Sequence, residues 1–280
     1  MSVNSESWIG LTRQAKNQVV RVVIFPFAGG NASSFYRWVR EFPFKDEVSI
    51  DVVQLPGRGN RASEPLITEF SGLCRGVYPL LEKRVDEGPC IFLGYSMGAM
   101  LAFELACRLE QRLGKGPDSL ILAARKSPAF NSQGTRRKNI SRVKMVSELR
   151  KLGGTPDELL NNPSLYSHYF DVLEADFTAL ENYQYQSGNI VNAPIMAIGG
   201  VDDVETDLAQ LYDWRNYTND CFSMHLVPGG HFFVNTALDS FMNIVAVAVE
   251  DDFLHKTESS GGINADNNVS RARLSIQGNG

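Results

Sequence analysis

The chain has 280 residues, a formal net charge of −5 at pH 7, 43% hydrophobic residues and 21% charged residues. These values are typical of a soluble globular protein large enough to bury a sizeable core, and they argue against a surface that binds nucleic acid nonspecifically. No apolar run approaches the ~20 residues that span a bilayer, and the polar residues 1–7 do not resemble a signal peptide. The four cysteines have no C-x-x-C spacing, so we expect reduced thiols, no metal site and a cytoplasmic protein.

Six apolar or β-branched runs predict strands: Val19–Phe25, Val48–Leu55, Cys90–Leu93, Ser119–Ala124, Pro194–Gly199 and Phe222–Val227. Helical patterns separate most of them, which predicts an α/β fold with a mostly parallel central sheet and helices on both faces. Ser33 and Ser34 are candidate caps of the first helix. The helix predicted over about Leu66 to Glu87 contains Gly76 and Pro79, so we expect it to be bent or split.

The segment Gly94-Tyr-Ser-Met-Gly98 has the G-x-S-x-G pattern between a predicted strand and a predicted helix. In that context the pattern indicates a nucleophile elbow, a sharp turn that exposes the hydroxyl of Ser96. The two glycines would allow the backbones to approach closely, and Ser96 would adopt a strained conformation. The alternative is an ordinary glycine-rich turn. The following helix, with leucines at i, i+4 spacing, predicts a single core-facing stripe.

A serine nucleophile needs a base and an orienting carboxylate, which follow it in the order acid, then histidine, in this type of fold. His231 follows the last strand and Pro228-Gly-Gly230, whereas His168, His225 and His255 lie elsewhere. We therefore predict His231 as the base. The acid is expected after the fifth strand, where Asp202 and Asp203 compete; counting from Gly200 favours Asp203.

An oxyanion hole requires two backbone donors. The amide of Met97, at the start of the helix after Ser96, is one candidate. The second donor is expected in the glycine-rich loop after the first strand, from Ala28 or alternatively from Phe27.

Residues 1–255 are predicted to form one domain. The gap between the fourth and fifth strands, about 126–189, contains helical patterns and no convincing strand. Because ligands bind at the carboxyl ends of parallel strands, we expect this insertion to be a mobile helical lid over Ser96. Residues 256–280 are rich in Ser, Gly, Asn and Asp and predict a disordered tail.

The chain resembles the type II thioesterases that accompany polyketide synthases and nonribosomal peptide synthetases. The resemblance covers about residues 19–249 and rests on six segments: Phe25-Pro-Phe-Ala-Gly-Gly30, Leu55-Pro-Gly-Arg-Gly59, the elbow, Ala175-Asp-Phe-Thr-Ala-Leu-Glu-Asn-Tyr183, Gly199-Gly-Val-Asp-Asp203 and Gly229-Gly-His231. Two positions depart from the family pattern, because Phe27 stands where many members have His and Ala124-Arg-Lys-Ser-Pro128 replaces a Gly-Arg-Arg-Ala-Pro-like run.

The resemblance implies an α/β-hydrolase fold and hydrolysis of acyl thioesters from the phosphopantetheine arm of acyl- or peptidyl-carrier proteins, in an editing role. The residues alone indicate only a serine hydrolase that acts on an acyl substrate and needs no cofactor. The alternatives are a thioesterase that releases medium-length acyl chains, a small-molecule carboxylesterase, or a non-enzymatic carrier-binding relative. We expect a monomer that interacts with neither nucleic acid nor membrane.

The segment 125–151, which we call the basic window, contains nine basic residues and a single acidic residue, Glu148. The basic residues are Arg125, Lys126, Arg136, Arg137, Lys138, Arg142, Lys144, Arg150 and Lys151. It is either an ordinary solvated surface or a docking surface for an acidic carrier protein and its phosphate.

Overall fold

Seven strands form one sheet in the computed structural model, which describes residues 5–131 and 141–254. The strands are β1 (Ile9–Arg13), β2 (Val20–Phe25), β3 (Val48–Val53), β4 (Cys90–Tyr95), β5 (Ser119–Ala123), β6 (Ile195–Gly200) and β7 (Phe222–Val227). Their spatial order is β1-β3-β2-β4-β5-β6-β7, and all neighbours are parallel except β1 and β3. The prediction of a mostly parallel α/β sheet is therefore confirmed.

The antiparallel edge strand β1 was not predicted. Its residues alternate between half-buried and exposed, whereas every residue of β2, β3, β4 and β5 is buried. A short edge strand with one half-covered face lacks the continuous apolar run by which the inner strands are recognised.

The helices are α1 (Tyr36–Glu41), α2 (Phe70–Asp86), α3 (Met97–Leu113), α4 (Pro128–Asn131), α5 (Arg142–Leu152), α6 (Asp157–Asn161), α7 (Ser167–Glu181), α8 (Leu208–Tyr212), α9 (Phe233–Thr236) and α10 (Leu238–Val249). Short 3₁₀ turns cover Ser5–Trp8, Ala32–Phe35, Gly59–Arg61 and Asp213–Tyr217, and a π turn covers Glu250–Leu254.

Local predictions about three helices can be compared with the structure. Of the two outcomes expected for α2, bent or split, the split is excluded, because α2 is one helix that runs through Pro79. The N-cap of the turn before α1 is Asn31, whose side chain accepts the backbone N–H of Ser33. Of the two predicted caps, Ser34 also takes part, because its hydroxyl oxygen accepts the Asn31 N–H at 3.3 Å. The first turns of α3 are buried on all sides, so the helix lies inside the molecule and does not present a single apolar stripe.

Two apolar cores lie on the two faces of the sheet, because successive side chains of a strand point to opposite faces. Val23 of β2 belongs to the core that contains α2 and α3, whereas its neighbours Val22 and Ile24 belong to the core that contains α1 and α10. The carboxyl ends of the six parallel strands thus meet at one edge, where the loops that follow them can build a site.

The insertion between β5 and β6 contributes α4 to α7 and has a small apolar core of its own. That core consists of Met145, Val146, Leu149, Leu160, Phe170 and Leu173. Leu165, in the turn before α7, is exposed. Residues 132–140 of the insertion, His255 and the predicted tail lie outside the described residues.

Three of the cysteines, Cys74, Cys90 and Cys107, are buried, and Cys221 is exposed; all four are free thiols. Burial raises the pKa of the Cys74 thiol to about 12, so it stays protonated near neutral pH. No helix in the described part of the chain is long and apolar enough to cross a membrane.

Candidate active site

Ser96 occupies a one-residue turn between β4, which ends at Tyr95, and α3, which begins at Met97. Its backbone has φ 53° and ψ −111°, a conformation that a residue with a side chain adopts only under strain. The Ser96 N–H donates to the carbonyl oxygen of Ala123 at 2.8 Å, which ties the turn to the neighbouring strand β5. This is the strained turn that the G-x-S-x-G pattern predicts.

Gly94 allows the strand and the helix to fold back on each other. A Cβ added to Gly94 would lie 2.4 Å from the Cα of Ala99 on α3, which real side chains do not tolerate. The second glycine, Gly98, faces the end of β2 instead, so the helix is also held against the neighbouring strand.

His231 lies between Ser96 and Asp203. Its Nε2 is 3.0 Å from the Ser96 Oγ, and its Nδ1 is 2.9 Å from the Asp203 Oδ2. The Asp203 side chain is fully buried, and its other oxygen accepts the Glu205 N–H at 2.8 Å. Asp202, the alternative acid, is exposed to solvent.

Backbone contacts fix the loops that carry Asp203 and His231 against each other. A Cβ added to Gly200 would lie 2.4 Å from the carbonyl oxygen of Gly229, so only glycine fits between the two loops. The Tyr95 hydroxyl donates to the His231 carbonyl oxygen at 2.6 Å. Burial raises the pKa of Tyr95 well above its usual value, so this hydroxyl stays protonated and keeps its role as donor.

Two other histidines, His168 and His225, lie outside this group. The Nε2 of His168, on α7, is 2.7 Å from the carbonyl oxygen of Gly57. His225 lies on the edge strand β7, where burial lowers its pKa. His255 is outside the described residues.

Met97 and Ala28, the predicted oxyanion donors, both belong to segments next to Ser96. Met97 is the first residue of α3, and the N–H groups in the first turn of a helix have no acceptor within the helix. Ala28, in the loop after β2, lines the same cavity as Ser96 and His231, as does the alternative donor Phe27.

The cavity at Ser96 is mostly apolar, and the insertion supplies much of its wall. The insertion contributes Leu149, Leu152, Leu173, Phe177 and Leu180 to the lining, and the body contributes Phe27, Ala28 and Phe232. The ring of Phe27 packs edge-on against Phe232, with centroids 5.1 Å apart. The insertion therefore forms part of the wall of the cavity at Ser96, and its role as a mobile lid stays a prediction.

The basic window contributes to the site in part. Arg125 and Lys126 line the cavity beside Ser96. Further along the window, side chains bond locally: Arg142 with Asp171 at 2.6 Å, Lys151 with Glu148 at 3.1 Å and Arg150 with Asn161 at 2.5 Å. Arg136, Arg137 and Lys138 lie outside the described residues.

Two charged residues with no predicted role contact the loop that carries Ala28. Arg58 and Asp176 form a buried ion pair, and the Asp176 carboxylate also accepts the N–H of Gly29. Both residues belong to segments on which the family resemblance rests, and that membership was the one sign in the sequence that they have a role. Neither segment alone indicates that the two side chains form an ion pair.

The arrangement is suited to nucleophilic acyl transfer. A histidine in contact with a serine hydroxyl can accept its proton, and a carboxylate on the second ring nitrogen holds the imidazole in the required orientation.

Comparison with known proteins agrees with this geometry. The family model described as "Thioesterase domain" matches residues 20–248. The thioesterase PikA5 of Streptomyces venezuelae is 32% identical over 88% of this chain and 86% of its own length. A second relative, from Brevibacillus parabrevis, is 31% identical over 87% of this chain and 92% of its own length, and it bears the name linear gramicidin dehydrogenase LgrE.

Among solved structures, YbtT, a type II thioesterase from the yersiniabactin NRPS/PKS biosynthetic pathway, superposes with a TM-score of 0.75. It is 28% identical, and the match covers 86% of this chain and 96% of that one. The relatives' names do not all state one activity, but the family model, the α/β-hydrolase fold and the serine elbow agree with one another. The chain therefore belongs to the thioesterase family, as a type II thioesterase that hydrolyses thioesters.

Proposed function

We propose that this thioesterase removes acyl groups from the phosphopantetheine arm of acyl- or peptidyl-carrier proteins in a polyketide or nonribosomal peptide pathway, where it edits misprimed or stalled chains. We propose further that Ser96, His231 and Asp203 form its catalytic triad, with the amides of Met97 and Ala28 as the oxyanion hole.

One observation carries the catalytic assignment: the imidazole of His231 lies within hydrogen-bonding distance of both the Ser96 hydroxyl and the buried Asp203 carboxylate. These residues come from three separate loops at the carboxyl edge of the sheet, and Ser96 stands in a strained turn that exposes it to the cavity. Strain of this kind persists only where the surrounding structure enforces it.

In the acylation step, the Ser96 Oγ attacks the thioester carbonyl carbon while His231 Nε2 takes the hydroxyl proton. The carbonyl oxygen becomes an oxyanion, which the N–H groups of Met97 and Ala28 stabilise; the amino end of α3 adds its partial positive charge. When the tetrahedral intermediate collapses, the carbon–sulfur bond breaks and His231 returns the proton to the leaving thiolate. The acyl group is then esterified to Ser96.

In the deacylation step, water takes the place of the thiol. His231 removes a proton from the water as it attacks the acyl-enzyme, and the same amides hold the second oxyanion. Collapse of this intermediate releases the carboxylic acid and returns the proton to Ser96. The Asp203 carboxylate stabilises the imidazolium in both steps.

The assignment of a carrier-bound substrate depends on observations other than the geometry of the triad. A triad does not distinguish an oxygen ester from a thioester, so membership in the thioesterase family supports the bond that is cleaved. The type II thioesterase YbtT comes from an NRPS/PKS pathway, which supports a carrier-bound substrate and an editing role. Arg125 and Lys126 at the cavity could hold the phosphate of the arm.

The experiment compares three substrates: a short acyl group on a carrier protein, the same acyl group on free pantetheine, and an aryl ester. We expect the highest kcat/KM on the carrier protein. Ser96→Ala should abolish turnover of all three, by roughly the 10⁶-fold seen when such nucleophiles are removed, whereas Ser71→Ala on the exposed side of α2 should have no effect.

Other outcomes would favour the alternatives. Preference for the aryl ester would indicate a carboxylesterase, and a rate that rises steadily with acyl length would indicate release of medium-length chains. Binding of the carrier protein without turnover would indicate a non-enzymatic relative. An editing enzyme should cleave short stray acyl groups from the carrier faster than the full-length product.

A further inference from the structure

Asp176 is a fully buried charged residue outside the proposed triad. It lies on α7 of the insertion, and its two carboxylate oxygens receive two separate hydrogen bonds from the guanidinium of Arg58, at 2.5 and 2.7 Å. The Arg58 side chain is only 7% exposed, and it follows β3 in the body of the protein. A bidentate pair of this kind fixes both distance and orientation, because two parallel bonds must form together.

The same carboxylate also holds the loop that carries Ala28. Its Oδ2 accepts the backbone N–H of Gly29 at 2.7 Å, and an Arg58 nitrogen donates to the Gly30 carbonyl oxygen at 3.4 Å. The bond to Gly29 orients the peptide that directly follows Ala28. Asp176 therefore connects the insertion, the loop after β2 and the loop after β3 through one buried group.

Packing reinforces this connection. Gly29 has φ +75°, and a Cβ added there would lie 2.6 Å from the Leu173 side chain on α7. Leu173 itself lines the cavity with Ser96. His168, also on α7, reaches the Gly57 carbonyl oxygen at 2.7 Å and provides a second link to the loop after β3.

The position of an oxyanion donor matters because it stabilises charge that develops only in the transition state. Such a donor must lie within about 3 Å of the place that the oxyanion will occupy, and an error of ~1 Å can cost about 100-fold in rate. A loop rich in glycine does not hold a peptide to that tolerance by itself. The buried pair supplies the missing constraint.

We infer that Asp176 and Arg58 are a positioning pair for the Ala28 amide, so that the oxyanion hole is complete only while α7 is docked on the body. The inference rests on the proposed function, because it assumes that Ala28 donates to the oxyanion. On this inference the insertion contributes to catalysis as well as covering the substrate. When α7 moves away from the body, the Ala28 amide loses its alignment at the same time as the site opens.

The test uses Asp176→Asn and Arg58→Lys in the full chain, each assayed well below the midpoint of its own thermal unfolding. Asp171→Asn is the matched control, since it lies on the same helix and breaks an exposed ion pair with Arg142. Four quantities are measured for each variant: kcat and KM on an acyl-pantetheine, and the affinities for two inhibitors. One inhibitor is a trifluoromethyl ketone analogue, which forms an oxyanion adduct with Ser96; the other is an acyl-pantetheine amide, which binds without reacting.

Loss of a complete donor costs roughly 10²–10³-fold in kcat, so a misplaced one should cost roughly 10- to 100-fold. We expect both variants to show that loss in kcat and a similar loss of affinity for the trifluoromethyl ketone. KM and the affinity for the amide should stay close to those of the wild type, and the control should match the wild type throughout. A pair that only stabilises the fold would leave the ratio of the two inhibitor affinities unchanged.

Three results would overturn the inference: wild-type kcat in both folded variants, equal losses of affinity for both inhibitors, or failure of both variants to fold. If Ser96→Ala keeps its activity, the proposed function itself is wrong. If Ser96→Ala is inactive and Asp176→Asn has the wild-type inhibitor ratio, only the positioning role is wrong.

Discussion

Gly98 on α3 and Phe25 at the end of β2 are in backbone contact. A Cβ added to Gly98 would lie 1.9 Å from the Phe25 carbonyl oxygen and 2.7 Å from that of Pro26. The approach places the start of α3, with the Met97 amide, next to the loop that carries Ala28. The second glycine of the elbow thus brings together the two proposed halves of the oxyanion hole.

Gly98→Ala should therefore impair both stability and catalysis. Because the added methyl group meets backbone rather than a mobile side chain, α3 or the end of β2 must shift; overpacking of this kind costs about 1–3 kcal/mol of unfolding free energy. We expect a lower urea midpoint and a kcat reduced by at least roughly tenfold, since the proposed donors would separate.

Gly114→Ala is the control for that variant. Gly114 ends α3 with φ +69°, and nothing lies within 4 Å of an added Cβ. This variant should lose about 1 kcal/mol from the left-handed backbone and keep the wild-type kcat. A Gly98→Ala enzyme with normal kcat would contradict the assigned role of this contact.

Much of the fold and part of the site could be predicted from local patterns. The inner strands are continuous apolar runs, and the G-x-S-x-G turn and the loop of Asp203 each follow such a run directly. The loop of His231 follows the edge strand β7, which was also predicted. These predictions do not require the order of the strands in the sheet to be known. Parallel strands bring their carboxyl ends to one edge whatever their order, so the loops that follow them lie close together.

The features that were not predicted depend on contacts between residues far apart in the sequence. Arg58 and Asp176 are 118 residues apart, and a charged residue in a loop or on a helix is by itself most often a solvated one. The strand β1 is recognisable only through its pairing with β3. The first turns of the helix α3 are buried on all sides because other elements pack around them. The spacing of its own apolar residues does not show this.

Asp203→Asn should be far more damaging than Asp202→Asn. An amide in place of the Asp203 carboxylate can favour the wrong histidine tautomer and no longer stabilises an imidazolium, which costs about 10⁴-fold in kcat in a triad of this type. Asp202 is exposed and should tolerate the change with less than about a twofold effect. Steady-state kinetics on an acyl-pantetheine compares the two directly; equal losses, or a larger loss for Asp202→Asn, would reverse the assignment of the acid.

His231→Ala should reduce kcat nearly as much as Ser96→Ala, by roughly 10⁶-fold, because the two residues act as a unit. His225→Ala and His168→Ala are the comparisons. Neither side chain contacts Ser96 among the described contacts, so both variants should keep far more activity than His231→Ala. His168→Ala should also lose some stability, because it removes the bond to the Gly57 carbonyl oxygen. Substantial turnover by His231→Ala, with its folding intact, would show that another base serves Ser96.

Reversing Arg136, Arg137 and Lys138 to Glu tests the basic window as a docking surface, although these three residues lie outside the described part of the chain. We expect lower kcat/KM on an acyl carrier protein and unchanged kcat/KM on free acyl-pantetheine. The difference should diminish as salt rises, since the Debye length shortens from about 10 Å at 0.1 M to about 3 Å at 1 M. Equal effects on both substrates, or none on either, would leave the window as ordinary surface.

Lys126 allows a separate test, because it lines the cavity that contains Ser96. If its ammonium group holds the phosphate of the arm, Lys126→Ala should lower kcat/KM about fivefold, corresponding to ~1 kcal/mol, on acyl carrier protein and on acyl-phosphopantetheine alike. The same acyl group on pantetheine without phosphate should show no change. Lys16→Ala is the control, since Lys16 precedes β2 at the opposite edge of the sheet and is 84% exposed. A loss confined to the carrier protein would assign Lys126 to protein docking instead, and a loss on all three substrates would assign it to the acyl cavity.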